Sequence, residues 1–140
     1  AIVTDSHQNS ALECWRLSAP FATSSAPGTT GASELNLGGL ANATYTVFPA
    51  RFDGGVHNGP FAQYVIFTSG LAVVTLPHNP GEARVAGGPN GLIVVVDTVG
   101  SGHITTYPSD SPTIAYQIPF QDGIIPAHKV LHAGACTGNQ

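Results

Sequence analysis

Charge is what this sequence has least of. Only 9% of its 140 residues are Asp, Glu, Lys or Arg, against about a quarter in typical soluble domains. Ser, Thr, Asn and Gly must do the solvating instead. The four cationic side chains, Arg16, Arg51, Arg84 and Lys129, are scattered along the chain. Nucleic-acid binding needs a basic patch making several phosphate contacts, so that function class drops out. A net charge of −4 is too mild and too dispersed to imply a cationic partner. Long apolar runs are missing too: none approaches the roughly 20 residues a membrane helix needs, and a soluble chain is expected. No basic, apolar leader opens the sequence, which reads as already processed.

Cysteine is nearly absent. The two present, Cys14 and Cys136, lie near opposite ends. In a Gly/Pro-rich chain with a single lysine, the expectation is a disulfide tying the two ends, as in secreted proteins. "NAT" at Asn42–Thr44 is an N-glycosylation acceptor, which adds to the expectation of a secreted eukaryotic glycoprotein.

Helix signals are almost as scarce, because 17 Gly and 11 Pro recur too often for a long helix. The one tolerable window, "SALECWRL" at 10–17, reads equally well as a strand. Residues 18–34 form an irregular surface segment rich in Ser, Thr, Ala, Pro and Gly, and 76–91 reads as one long loop. What remains is β-type: "ATYTVFPARF", "AQYVIFTSG", "LAVVTL", "GLIVVVDTVG", "HITTYP", "TIAYQIPF" and "HKVLHAGAC". Their β-branched and aromatic content, with turn residues between them, argues for a single all-β sandwich or barrel over 1–140. The expected core is Val65, Phe67, Leu71, Val73, Ile93, Val95, Ile104, Ile114, Tyr116 and Ile118.

Several chemistries lack their residues. Neither a GxGxxG nor a GxxxxGK[ST] phosphate loop is present, and GxSxG is missing as well. The eight carboxylates form no recognisable glycosidase pair; Asp97, after the apolar "IVVV", is expected to be half buried. His128 and His132 have the i, i+4 spacing of metal-binding imidazole pairs but no third ligand nearby. His7, His78 and His103 are isolated and expected to be exposed. Trp15 is expected to pack on the disulfide beside it.

His57 sits in a more suggestive context. His57-x-Gly59-x3-Gln63-x6-Gly70 resembles, in spacing, the first motif of the cupin superfamily, His-x-His, three or four residues, Glu, six residues, Gly. Gly102-x5-Pro108-x-Asp110-x2-Thr113-x3-Gln117 is similar to the second, Gly-x5-Pro-x-Gly-x2-His-x3-Asn. His57, Gly70, Gly102 and Pro108 agree, and together the motifs cover about half the chain. The resemblance implies a cupin-like antiparallel β-barrel or jelly roll. It also implies that the four metal-ligand positions hold His57, Gly59, Gln63 and Thr113, only one of which is a good transition-metal donor. No metal, no cofactor and no catalytic residue are therefore expected. His57, Gln63, Thr113, Tyr64 and Tyr116 are pocket candidates.

By size, terminal cysteines, sequon and degenerate motif spacing, the chain further resembles the small cupin-like subunit of heterodimeric fungal laccases. That implies a non-catalytic accessory protein that stabilises or modulates a larger secreted oxidase. Two alternatives stay open. One is a carbohydrate- or small-molecule-binding jelly-roll module. The other is a small enzyme using His57 with Tyr64, Tyr107 or Tyr116 as acid–base groups.

Overall fold

The structure, a computed structural model, describes residues 1–137. Strands β1 (Ile2–Thr4), β2 (Ser10–Leu17), β5 (Thr44–Phe48), β7 (Gln63–Ser69), β10 (Leu92–Val95), β12 (Thr113–Pro119) and β13 (His128–Ala133) form one sheet, in the order β13-β2-β1-β10-β7-β12-β5. Strands β6 (Phe52–His57), β8 (Leu71–Thr75), β9 (Glu82–Ala86) and β11 (His103–Tyr107) form a second, in the order β6-β11-β8-β9. A two-stranded hairpin, β3 (Ala22–Thr23) with β4 (Ser33–Glu34), stands apart. The pairing is antiparallel except where β1 lies parallel to β10. The two sheets share no strand, so the barrel expected from the sequence is not closed.

Through its middle the chain alternates between the two sheets. From β5 to β12 only β8 and β9 are consecutive strands of one sheet. Gly70, alone between β7 and β8, makes one such crossing at φ 80°. A Cβ there would fall 2.8 Å from the Cβ of Thr113, so both the backbone conformation and the contact require glycine. Thr113 is fully buried against this corner, and its hydroxyl accepts a hydrogen bond from the Leu71 amide at 3.3 Å.

One open reading is decided and two are corrected. "SALECWRL" is a strand, with Ser10, Leu12 and Cys14 buried at alternate positions. The expected long loop contains β9, which pairs with β8 from Leu71↔Ala86 to Thr75↔Glu82. The expected irregular segment carries the β3–β4 hairpin. The Cys14–Cys136 disulfide is present, joining β2 to the chain just past β13. Trp15 points away from Cys14, because successive strand residues face opposite sides. It stacks on His128 at 3.5 Å and donates its indole N–H to Glu13 Oε2 at 2.6 Å.

The core lies between the sheets, where Val65, Phe67 and Ala115 of the larger one meet Ala72, Val74, Val85 and Tyr107 of the smaller. A second apolar cluster, around Tyr64, Val94 and Phe120, includes Leu37 and Leu40 from the segment before β5. Of the residues expected in the core, Val65, Phe67, Val73 and Val95 are buried. Leu71, Ile93, Ile104, Ile114 and Ile118 are half-buried, and Tyr116 is 40% exposed. The reason is strand phase. In "HITTY" the buried set is His103, Thr105 and Tyr107; in "TIAYQIP" it is led by Thr113 and Ala115. A one-residue phase difference turns every side chain over, and here polar residues take many of the inward places.

Candidate functional site

That phase opens a cavity between the sheets. It has a volume of about 210 Å³ and is lined by β7 through Gln63, Val65 and Phe67 and by β11 through His103, Thr105 and Tyr107. Val74, Ile93, Val95 and Gln117 complete the walls, while His57 and Pro60 are its exposed members. The mouth is therefore at the His57 end. The β6–β11 register sets His57 directly opposite His103, and the two rings lie 4.5 Å apart, tilted by 57°.

Behind His103 is a buried polar relay. Its Nδ1 is 2.7 Å from Oδ2 of Asp97, and Ser10 donates its hydroxyl to the same oxygen at 2.6 Å. Asp97 and Ser10 are both 0% exposed and His103 is 3% exposed. A carboxylate can only accept, so the imidazole carries a proton on Nδ1 and meets Asp97 through it. The arrangement is held from both sides. Asn58 donates its side-chain amide to the Asp97 carbonyl at 2.9 Å, and the Ser10 amide donates to Ser101 Oγ at 3.0 Å. Asp97 Oδ1 is buried without a hydrogen-bond partner among the described residues, 3.5 Å from where a Cβ on Gly59 would stand. A larger residue at position 59 would also collide with Val95.

Sequence reasoning expects Asp97 half buried and His103 exposed; the structure buries both and joins them. The signal was available in "VVVDTVGSGH", an acid closing one buried strand and a histidine opening the next. Of the five pocket candidates, His57 and Gln63 line the cavity. Thr113 does not; it sits against Gly70 at the far end of its strand. Tyr64 faces the second cluster, edge-on to Phe120 at 4.8 Å. Tyr116 points outward and meets Tyr45 at 5.3 Å. The acid–base partners suggested for His57 therefore separate: Tyr64 and Tyr116 are outside the cavity and Tyr107 is within it.

Neither a protein-family model nor a curated protein matches this chain. The functional reading therefore rests on its own geometry and on the resemblance in motif spacing. Among the described residues, no group of three or more His, Cys, Asp or Glu side chains is placed to hold a metal ion. His128 and His132 each direct Nδ1 to a backbone carbonyl, of Pro126 and Ala133 respectively, at 2.8 Å. Among the described residues no helix is long and apolar enough to cross a membrane.

Burial also marks Tyr107, stacked on Phe48 at 4.1 Å across the two sheets, by pushing its phenol well above the ordinary tyrosine range. A raised folded-state pKa gives stability that is complete below the unfolded value, near 10, and is lost as pH rises beyond it. Stability is thus expected to fall by up to about 1.4 kcal/mol per pH unit above pH ~10 through this group. Denaturant titrations at several alkaline pH values check this. Tyr107→Phe flattens the slope on this account, and an unchanged slope would contradict it.

Proposed function

We propose that this protein is a secreted, non-catalytic cupin-like jelly-roll module that associates with a larger oxidase, such as a laccase, and stabilises or modulates it. The strand orders support the jelly-roll reading. Within the larger sheet β5-β12-β7-β10 lie side by side, and they face β6-β11-β8-β9. That is the arrangement expected of eight strands folded as two interlocked Greek keys. Secretion is supported by the disulfide, and Asn42, the sequon residue, is exposed just before β5. In the accessory reading the redox metal belongs entirely to the partner. The positions that match the cupin ligand set offer one imidazole, a glycine, a neutral amide and a hydroxyl, a poor donor set for a transition metal.

The observation that carries the association is an apolar face at the free edge of the larger sheet. Tyr45 and Val47 on the edge strand β5 are 56% and 51% exposed, beside Tyr116 of β12 at 40%. Tyr45 and Tyr116 are directly paired in register and touch edge-on. Tyrosine is enriched at interface centres because it combines a large apolar area with a polar tip. The double variant Tyr45→Ser/Tyr116→Ser is expected to weaken binding to the oxidase by about tenfold or more. Its thermal midpoint should stay near that of the unaltered protein, since both side chains are exposed. Unchanged affinity, measured by calorimetry, would remove this face from the account.

A further inference from the structure

The cavity between the sheets is not used by a partner that docks on the outer face, yet it is built like a binding site. Much of its wall is apolar, from Val65, Phe67, Val74, Ile93 and Val95. Gln63, 3% exposed, and His103 stand with His57 at the mouth, while Thr105, Tyr107 and Gln117 add polar atoms further along the walls. His103 is the decisive group. Its Nδ1 is committed to Asp97, which fixes the ring, and in the neutral imidazole Nε2 is then an acceptor. Burying an aspartate and a serine solely to orient one imidazole is costly unless the imidazole is used.

The lining also sets the charge of what can enter. It contains no Lys, Arg, Asp or Glu, so an ion would be left unpaired in apolar surroundings. A carboxylate or phosphate is disfavoured on that ground. A sugar, with a hydroxyl on nearly every carbon, would set several of them against Val65, Phe67, Val74, Ile93 and Val95. The volume of about 210 Å³ is somewhat larger than the roughly 150 Å³ apolar cavity that accepts benzene. The fit is to one ring with one polar substituent.

We propose that this cavity binds a small, uncharged ring compound bearing a single hydroxyl. The hydroxyl donates to Nε2 of His103, and the ring lies against Val65, Phe67 and Val74. Gln63 flanks the hydroxyl, and His57 and Pro60 form the entrance. Asp97 and Ser10 act as positioning residues: they touch His103 and not the ligand.

The test is a titration of ¹⁵N-histidine-labelled protein with phenol, cyclohexanol, toluene and benzoate. Phenol and cyclohexanol are expected to bind about tenfold tighter than toluene, the advantage of pairing a buried acceptor. Both should move the Nε2 resonance of His103, which toluene leaves in place, and benzoate should not compete. His103→Leu should abolish the preference for the hydroxyl while holding toluene affinity within about twofold. Where that variant fails to fold, the Nε2 shift in the unaltered protein and the phenol-to-toluene ratio decide the matter alone. Equal affinity for phenol and toluene, tighter binding of benzoate, or no binding of any probe at His103 would overturn the proposal. None of these outcomes depends on association with an oxidase.

Discussion

Replacing Cys14 and Cys136 together by Ala is expected to lower the free energy of unfolding by about 2–5 kcal/mol. The bond spans 122 residues, nearly the whole chain. In the chain-entropy description, closing a loop of that length restricts the unfolded state by about 5 kcal/mol, before any native strain is subtracted. Its position enlarges the local effect. Strand β13 is an edge strand of the larger sheet and, among the described residues, pairs only with β2, so the disulfide is the covalent fastening of an edge. Cys14 itself is fully buried, and substituting both residues avoids leaving a lone thiol. Equilibrium denaturation with urea checks the prediction, with protection of β13 amides from exchange as the local readout. A loss under about 1 kcal/mol would mean that the ends are held by the β2–β13 ladder alone.

Asp97→Ala is expected to cost about 2–6 kcal/mol. The carboxylate receives both the Ser10 hydroxyl and His103 Nδ1 in a fully buried setting. Removing it leaves two buried donors unpaired, and each such loss costs about 1–3 kcal/mol. Asp97→Asn keeps the shape and one acceptor oxygen, so it should lose clearly less. A double-mutant cycle with His103→Ala should show a coupling of at least about 1 kcal/mol, because the two residues share one hydrogen bond. Additive losses would show that the pair is packed together without being coupled.

The all-β class was legible because it rests on composition and turn residues, which act locally. The disulfide was legible because only two cysteines exist. Strand phase was not. Alternation alone assigns Ile104, Ile114 and Tyr116 to the interior, since apolar residues ordinarily face inward. The chain instead turns His103, Thr105 and Tyr107 inward, and the cavity is the consequence. Strand β9 was hidden by flanking Pro and Gly, although "EARVA" alternates once its pairing to β8 is known. For the site, motif spacing led to His57 and Gln63, which do line the cavity. It missed His103 and Asp97, which meet across the short connection from β10 to β11, and it missed that the β6–β11 register sets His103 opposite His57. It also carried Thr113 in by spacing, whereas the strand places that residue beneath Gly70.

The central claim, association with a larger oxidase, is tested most directly by purifying the native protein under mild conditions and following it through size-exclusion chromatography. Co-elution with an oxidase is predicted, together with a lower thermal midpoint of that oxidase after this chain is stripped away and recovery when it is added back. Elution as a lone chain of 14.3 kDa, with no effect on any candidate oxidase when added back, would contradict the account.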